Sequence, residues 1–283
     1  MMERKAPERN GLVGQRCPQR AAPKQLPAQF PSDQSNAYPP LSPLNSLAVL
    51  PPSRNLDRMI RPADLFDLSQ TEHAALFEGC ETAWDALKKL KAYVEKTVKP
   101  ALHNRCDGDA FIGDMVFIGE GTVVEDGVMI KGPAIIGKNC EIRHNAYIRE
   151  HVLIGDGCVI GNSCEVKHSL IFNNCQVPHF NYVGDSILGY KAHMGAGSIL
   201  SNVKSLPGNV SVEIDGQKVD TGLRKFGALL GDHAEIGCNS VLNPGSIIGR
   251  RSVIYPTTNW RGVLAADSIA KNKAAAEVVV RKK

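Results

Sequence analysis

The sequence has no apolar run that approaches the ~18 residues of a membrane span, which argues against an integral membrane protein. The stretch Asn45–Leu50 is too short for the apolar core of a signal peptide and runs into Pro51-Pro52. Without a secretory signal a disulfide framework is not expected, and none of the eight cysteines forms a CxxC pair. We therefore expect a cytoplasmic protein with no membrane partner.

The body of the chain also lacks a net charge, although the whole chain has a formal charge of +4. Residues 1–58 contain eight Lys or Arg and four Asp or Glu, so the rest of the chain carries 25 of each sign. A neutral body argues against a non-specific nucleic-acid surface, and no nucleic-acid partner is expected.

Residues 1–58 lack any helical or strand periodicity and contain ten of the seventeen prolines. Such a segment cannot bury enough apolar surface to offset the entropy lost on ordering. It is therefore predicted to be a disordered leader that can be removed without effect. Met59 is an alternative natural start of the protein.

Residues 59–105 have a helical pattern. Apolar residues recur on one helix face between positions 84 and 98, at Trp84, Leu87, Leu90, Tyr93, Val94 and Val98. Pro100 ends the pattern, because proline lacks the N–H that a helix interior requires. Such a stripe most often packs on the same chain or on a neighbouring subunit, so residues 59–105 are predicted to form a helical segment beside the main domain.

The dominant pattern is a repeat of six residues that begins near Phe111. An apolar residue recurs at every sixth position, at Ile112, Ile118, Val124, Ile130, Ile136, Ile142, Ile148, Ile154, Ile160, Val166 and Phe172. The period resumes at Tyr182, Leu188, Met194 and Leu200, and again at Leu230, Ile236, Leu242, Ile248 and Ile254. Repeats of this length are typical of a parallel β-helix, in which the apolar residues fill the interior and each coil stacks on the last.

A second, mostly small residue lies four positions after each apolar one. Three cysteines occupy this slot, at Cys140, Cys158 and Cys164. We therefore interpret them as packing residues and not as metal ligands or nucleophiles. The β-helix is predicted to cover residues 106–256, and residues 257–283 to form a C-terminal cap or tail.

Two stretches interrupt the repeat. Residues 203–226 contain an alternating strand pair around Asp215-Gly216, which predicts an excursion or hairpin that projects from the β-helix. The stretch Val177–Asp185 breaks the six-residue count and carries a histidine, an asparagine and a tyrosine. A break with these side chains in a strict repeat is where we expect the functional site.

The repeat resembles the left-handed β-helix of the hexapeptide acyltransferases, so the expected fold class is all-β, a left-handed parallel β-helix with an N-terminal helical segment. Val177–Asp185, the turn Gly195–Ser198 and Asn202 look like the acetyltransferase site of sugar-1-phosphate acetyltransferases. This family comprises the C-terminal domain of the bifunctional enzyme that makes UDP-N-acetylglucosamine and the archaeal sugar-1-phosphate nucleotidylyltransferase/acetyltransferases. The similarity covers roughly Phe111 to Pro256, about half of the chain. Because residues 1–110 hold no glycine-rich phosphate loop, the resemblance implies acetyl transfer only.

The resemblance implies a role for each matching residue. His179 matches the catalytic histidine, which would accept a proton from the attacking amine. The implied ligands of an amino-sugar phosphate are Arg149, Lys167, Tyr182, His193 and Lys225. The implied contacts of the co-substrate acetyl-CoA are Gly195, Ala196, Asn202 and Cys238. Candidates for binding the CoA phosphates are Arg250, Arg251, Arg261 and Lys271.

The chain departs from the family at three of these positions. His193 replaces an asparagine and Val203 replaces a tyrosine, which leaves the amino sugar, glucosamine or an isomer, undetermined. Cys238 replaces a small hydroxyl residue, and we interpret it as a buried structural thiol. Tyr182 also occupies an apolar position of the repeat, so an interior packing role is equally consistent with the sequence.

Two other functions are compatible with a β-helix. A γ-type carbonic anhydrase needs a pair of histidines five residues apart, and the β-helix sequence has none, so no metal is expected. A non-enzymatic platform that assembles as a trimer is the second alternative. The resemblance implies a homotrimer with the acetyl-CoA cleft between neighbouring subunits.

Overall fold

The computed structural model describes residues 15–16, 60–214 and 216–272. The predicted disorder of the leader lies outside the described residues, apart from a strand at Gln15–Arg16 that pairs antiparallel with Phe111–Ile112. Residues 273–283 of the predicted C-terminal tail also lie outside them.

Most of the described chain winds through three sheets of nine strands each. Sheet 1 consists of Gln15–Arg16, Phe111–Ile112, Met129–Ile130, Tyr147–Ile148, Glu165–Lys167, Tyr182–Gly184, Ile199–Leu200, Val241–Leu242 and Asn259–Trp260. Sheet 2 consists of Ala101–Leu102, Val116–Ile118, Ala134–Ile136, Val152–Ile154, Ser169–Ile171, Ile187–Leu188, Ala228–Leu230, Ser246–Ile248 and Val263–Leu264. Sheet 3 consists of Arg105–Asp107, Val123–Glu125, Glu141–Ile142, Val159–Asn162, Gln176–His179, His193–Met194, Glu235–Ile236, Val253–Ile254 and Ile269–Ala270. The predicted fold class, a left-handed parallel β-helix, is confirmed.

The side chains at the small position of the repeat form hydrogen bonds to the next coil. The thiols of Cys140, Cys158 and Cys164 are buried and donate to carbonyl oxygens of the following coil at 3.1, 3.0 and 3.1 Å. The hydroxyl of Ser240 donates to the carbonyl oxygen of Tyr255 in the same way at 3.0 Å. Burial raises the pKa of the Cys158 thiol well above its usual value, so this thiol stays protonated and unreactive. The predicted packing role of these cysteines agrees with these contacts.

The six-residue count fails at a different place from the one expected. Ladder pairing aligns Ile154 with Ile171 and Val166 with Val183, so each of these coils is one residue shorter than three complete repeats. The missing residue is at the corner between sheets 1 and 2, where Ile171 follows Val166 at the fifth position and not at the sixth.

Two residues assigned to the interior are therefore displaced from it. Phe172 lies beyond the interior ladder and packs on Phe66 and Phe77 of the N-terminal segment, with ring centroids 5.2 and 5.9 Å apart. Tyr182 pairs with Glu165 in the ladder, at the outward position beside Val183. The alternative of interior packing, left open for Tyr182 beside a role as substrate ligand, does not hold, because the shorter coil moves the inward position by one residue.

The N-terminal segment covers the outer face of sheet 2. It contains α-helices at Pro62–Leu65 and Asp85–Thr97 and short 3-10 helices at Leu68–Gln70 and Ala74–Phe77. Its apolar stripe is buried, as predicted, and the outward residues of sheet 2 are buried with it, at Leu153, Leu170, Ile187, Leu229 and Ile247. The segment ends before Ala101, where the first strand of sheet 2 begins, so the predicted helical segment extends too far by a few residues.

The excursion leaves the β-helix after Asn202 and returns at Phe226. It contains the antiparallel hairpin Ser211–Ile214 and Gln217–Asp220. Phe226 closes the base, because its N–H donates to the Asn202 carbonyl at 3.0 Å and its ring lies 6.2 Å from that of Trp84. Beyond the predicted end of the β-helix at Pro256, three more strands continue the sheets to Ala270. The sequence missed them because the segment from Trp260 to Leu264 departs from the six-residue spacing.

Candidate active site

The shortened coils bring charged side chains together at one edge of the β-helix, the corner between sheets 1 and 2. We call the group Arg149, Lys167, Asp185 and Asn202 the charged corner. Asp185 is only 4% exposed. Its carboxylate lies 3.3 Å from Lys167 Nζ and 3.0 Å from His168 Nδ1, and accepts a hydrogen bond from Asn202 Nδ2.

Burial of Asp185 disfavours its charge, but the adjacent His168 imidazole and the positive charge of Lys167 outweigh burial and lower the pKa of the carboxyl. Asp185 is therefore a fixed negative charge that holds Lys167 in place. A lysine ammonium has three N–H donors, so two remain for a ligand.

Arg149 and Tyr182 are both neighbours of Glu165 on sheet 1, Tyr182 as its ladder partner. Arg149 Nη1 donates to Glu165 Oε1 at 2.9 Å, and this hydrogen bond raises the pKa of the guanidinium. The Tyr182 hydroxyl accepts from Asn202 Nδ2 at 3.2 Å. Burial and the carboxylates of Glu165 and Asp185 raise the pKa of Tyr182, so its phenol stays neutral and can donate to an acceptor.

Lys225 lies at the base of the excursion, one residue before Phe226. It is exposed, and its neighbour Phe226 is hydrogen-bonded to Asn202. Of the five predicted ligands of the substrate, the structure joins Lys167 and Tyr182 through Asp185 and Asn202, and it places Arg149 on the neighbouring Glu165. Asn202, expected to contact acetyl-CoA, lies with them.

His179 lies at a different edge of the β-helix, the corner between sheets 3 and 1. We call the group Asn162, His179, Ala196 and Cys238 the histidine corner. His179 Nδ1 is 2.8 Å from the amide oxygen of Asn162. Because that oxygen can only accept, Nδ1 carries the proton in this contact and Nε2 is left as the basic nitrogen.

The backbone around His179 is held in a tight turn. The buried side chain of Asn181 accepts from the His179 N–H at 3.1 Å and donates to the Gly195 carbonyl at 2.7 Å. Phe180 has a φ of 52°, in the left-handed region that a bulky residue rarely adopts, and its side chain is 61% exposed. Other corner residues, such as Lys191 and His233, have φ values of 55° and 58°, so this conformation belongs to the turns of the β-helix.

The turn Gly195–Ser198 presents one backbone donor. The N–H groups of Gly195, Gly197 and Ser198 donate within the chain, whereas that of Ala196 has no partner among the described residues. Gly195 cannot be replaced without a clash, because a Cβ there would lie 2.6 Å from the Cys238 backbone nitrogen. Cys238 itself is exposed, so the expectation of a buried structural thiol was wrong. It occupies the outward position of its corner and not the inward slot of Ser240.

His193 belongs to neither corner. It lies on sheet 3, where its ladder partners are Gln176 and Glu235, and its Nδ1 is 2.8 Å from Glu235 Oε2. Within this one chain the structure does not bring His193 to the charged corner.

The two corners flank one strand. Tyr182–Gly184 of sheet 1 begins just after the histidine corner and ends at the charged corner. His179 and Asp185 are six residues apart, so their separation is at most ~20 Å along an extended chain. A ligand with an anionic end at Lys167 can extend over the face of sheet 1 towards His179.

Sequence reasoning missed two residues of these corners. Asn162 was unassigned, although it is the ladder partner of His179, one shortened coil earlier in the chain. Asp185 was part of the highlighted stretch but had no role, and it lies one coil after Lys167. Each could have been found only by knowing the length of the local coil.

The four cations proposed to bind the CoA phosphates lie in the C-terminal coils and not at either corner. Arg250 lies 3.3 Å from Asp232, and Lys271 Nζ lies 5.0 Å from the ring centroid of Tyr255. Arg251 is paired with Asp267 at 2.6 Å. Arg261 is exposed and faces the excursion.

In the described part of the chain, no group of three or more His, Cys, Asp or Glu side chains is arranged to hold a metal ion. The helices described there are all too short or too polar to span a membrane.

Comparison with known proteins gives matches to part of the chain. The family model described as the GMPPB C-terminal domain matches residues 130–222. A bifunctional sugar-1-phosphate nucleotidylyltransferase/acetyltransferase of Sulfurisphaera tokodaii is 38% identical over 91 residues, 32% of this chain and 23% of that protein. The bifunctional protein GlmU of Methanococcus vannielii is 39% identical over 89 residues, 31% of this chain and 21% of that protein. The chain therefore spans about a fifth of the length of these curated relatives.

Among solved structures, the Arabidopsis UDP-N-acetylglucosamine acyltransferase is similar over 58% of this chain and 68% of that chain, with 15% identity and a TM-score of 0.35. This likeness is too distant to bear on activity. The stacked coils define a hexapeptide-repeat protein with a left-handed β-helix. Together with the sequence matches to bifunctional nucleotidylyltransferase/acetyltransferases, they support the resemblance to hexapeptide-repeat acyltransferases that the repeat predicted.

Proposed function

We propose that this protein transfers the acetyl group of acetyl-CoA to the amine of an amino-sugar 1-phosphate, glucosamine 1-phosphate or an isomer. The observation that carries the proposal is the placement of Lys167, Tyr182 and Asn202 in one hydrogen-bonded group at the end of the strand that begins beside His179. The similarity to the bifunctional sugar-1-phosphate nucleotidylyltransferase/acetyltransferase of Sulfurisphaera tokodaii supports the same substrate class.

The charged corner would bind the sugar phosphate. Arg149 and Lys167 each use one donor on a carboxylate of the chain, which orients the side chain and leaves further N–H groups for a phosphate. Lys225 adds a third cation from the excursion. The neutral phenol of Tyr182 would donate to a phosphate or sugar oxygen, and Asn202 would position that phenol.

The histidine corner would carry out the transfer. The substrate amine attacks the thioester carbonyl carbon while His179 Nε2 accepts the proton released by the nitrogen. The Ala196 N–H would stabilise the tetrahedral oxyanion. The intermediate collapses by breaking the carbon–sulfur bond, which gives the N-acetyl sugar phosphate and CoA, with the thiolate taking up a proton. Gly195 and Cys238 would line the path of the pantetheine.

A homotrimer is part of this proposal. A neighbouring subunit would close the acetyl-CoA cleft over the face of sheet 1, as the family resemblance implies. His193, which lies away from the charged corner of its own chain, would then contact substrate from an adjacent position.

The proposal is tested by measuring thiol release from acetyl-CoA with several amino-sugar phosphates. His179→Ala is expected to lower kcat by about 10²- to 10⁴-fold, the range for loss of a general base. Arg105→Ala is the matched control, because Arg105 is an exposed residue of sheet 3 that pairs with Asp107. Its activity should equal that of wild type.

Equal activity of wild type and His179→Ala would end this mechanism. A wild type that is inactive on every amino-sugar phosphate would favour the alternative, a β-helix that serves as a non-enzymatic platform.

A further inference from the structure

The corner between sheets 1 and 2 has the same backbone conformation in three successive coils. His151, His168 and Asp185 occupy it, with φ values of 59°, 44° and 47°. Histidine and aspartate are among the residues other than glycine that enter this left-handed region most often. The N–H groups of His168 and Asp185 donate to carbonyl oxygens of the preceding coil, to Glu150 at 3.1 Å and to Lys167 at 2.9 Å. The three side chains therefore form a column along one edge of the β-helix.

The two oxygens of the Asp185 carboxylate have different partners. Oδ2 contacts the side chains of the charged corner, Lys167 Nζ at 3.3 Å and Asn202 Nδ2. Oδ1 lies 3.0 Å from His168 Nδ1 and has no other hydrogen bond or ion pair within residues 60–214 and 216–272. The torsion that turns an aspartate carboxylate is soft, so the group beside Oδ1 determines where Oδ2 points.

His168 is held firmly in this contact. Its side chain is 20% exposed, and its Nδ1 is buried and forms no hydrogen bond to another group of the described chain. Nδ1 carries its proton here, because an imidazole lone pair 3.0 Å from a carboxylate oxygen would be repelled. If the carboxylate turned away, a buried N–H would face no acceptor, which costs free energy. The contact therefore favours a single orientation of the carboxylate.

A second histidine packs on His168 from the preceding coil. The ring centroids of His151 and His168 are 6.0 Å apart, and the ring planes are nearly perpendicular, at 82°. His151 Nε2 in turn lies 3.2 Å from Glu95 Oε1, on the helix Asp85–Thr97. Contacts thus run from the N-terminal segment through two histidines to the carboxylate of Asp185.

We propose that His168 is a positioning residue of the charged corner. It holds Oδ1 of Asp185 so that Oδ2 directs Lys167 and Asn202 towards the phosphate of the acceptor, and it acts through Asp185 and not by touching the acceptor. The inference rests on the proposed function for the class of ligand, an amino-sugar 1-phosphate, but it does not require acetyl transfer.

The test is titration calorimetry on the full chain, without an acetyl donor. The probes are glucosamine 1-phosphate, galactosamine 1-phosphate and inorganic phosphate. His168→Ala is expected to raise Kd about tenfold, because the charge-assisted contact that orients the binding group is lost.

Two conservative variants separate the Nδ1 contact from the packing of the ring. His168→Asn should recover most of the affinity, because its amide nitrogen can take the place of Nδ1 and asparagine tolerates a left-handed backbone. His168→Gln should not, because its amide nitrogen lies one bond further from the backbone. Equal losses in His168→Ala and His168→Asn would overturn the proposal.

His233→Ala is the matched control. His233 has the same left-handed backbone, with a φ of 58°, but lies at a corner between sheets 2 and 3, where its ring packs on Tyr190. Its Kd should equal that of wild type. Thermal melts of all variants would show that they are folded.

A double variant tests whether His168 acts through the charged corner. If it does, adding His168→Ala to Lys167→Ala should weaken binding much less than His168→Ala does alone, because the group that it positions is already gone. Tenfold losses in both backgrounds would overturn the proposal, since independent effects multiply.

Kinetics distinguishes this inference from the proposed function. With active wild type, His168→Ala should raise KM for the amino-sugar phosphate and leave kcat nearly unchanged. A wild type that binds the sugar phosphate without acetyl transfer, and loses affinity in His168→Ala, would end the proposed function and support the positioning role. A wild type that binds none of the three probes, or a Kd unchanged in His168→Ala, would overturn the positioning role.

Discussion

The coils before Val166 and those after it use the same six-residue unit, yet they differ in what their corners hold. Ile112, Ile130, Ile148 and Val166 stack in coils of three complete repeats, whereas Val166, Val183 and Leu200 stack in coils that are shorter by one residue. In the longer coils the charged side chains form pairs at the surface, such as Arg143 with Glu141.

The shorter coils instead enclose a carboxylate. Asp185 is buried against Lys167, His168 and Asn202, and the excursion starts from the next corner at the same edge. At this edge of the β-helix, loss of one residue from the corner leaves the stacking of strands intact and is accompanied by a buried polar cluster.

The largest effect is expected when a short coil is restored to full length. Insertion of one glycine between Gly184 and Asp185 should move Asp185 away from Lys167 while the neighbouring strands still pair. We expect turnover with the proposed substrates to fall by about a hundredfold or more, because misplaced binding groups cost this much. Steady-state kinetics would measure the loss.

The control is the same insertion next to Gly208 in the exposed loop of the excursion, which should retain most of the activity. Full activity with a glycine after Gly184 would mean that the short corner is not required for the site.

Substitution of Asp185 tests the buried carboxylate of the short coils through the pH dependence of stability. The pKa of Asp185 is lowered in the fold, so its contribution to stability is present above the unfolded value of about 3.9 and is lost as the pH falls through the folded pKa. Asp185→Asn should therefore lower the free energy of unfolding at neutral pH, by about 2 kcal/mol for lost hydrogen bonds to a charged group. The difference from wild type should shrink at acidic pH.

Urea unfolding at several pH values would measure this difference. Asp267→Asn, in an exposed pair with Arg251, should have a much smaller effect, since solvent screens that pair. A pH-independent difference between Asp185→Asn and wild type would contradict the assigned charge.

The smallest effect is expected in the interior of the regular coils. Cys158→Ser keeps a donor for the Phe172 carbonyl, which the thiol now contacts at 3.0 Å, and Ser240 already makes the equivalent contact in another coil. The free energy of unfolding should change by less than about 1 kcal/mol.

Cys158→Leu provides the contrast, because added volume in a packed interior costs about 1–3 kcal/mol. Thermal unfolding would measure the relative stability of the two variants. A serine variant less stable than the leucine variant would contradict the packing interpretation.

The sequence alone determined the β-helix, because the apolar period of six reports directly on which side chains face the interior. The helical stripe around Leu87 and Leu90 was also determined locally, since a period of 3.6 reports on one helix face. The family resemblance singled out His179, and it singled out Arg149 and Lys167 by their distances from His179 in the sequence. These features depend on neighbours close in the chain.

The tertiary structure decided what depends on stacking between coils. Whether Tyr182 faces in or out, and whether Asn162 meets His179, depend on coil length, and a one-residue shift exchanges inward and outward positions. A groove beside Arg261 lies between the excursion and the last coils of the β-helix. No local pattern encodes such a contact, because it exists only once the coils are stacked.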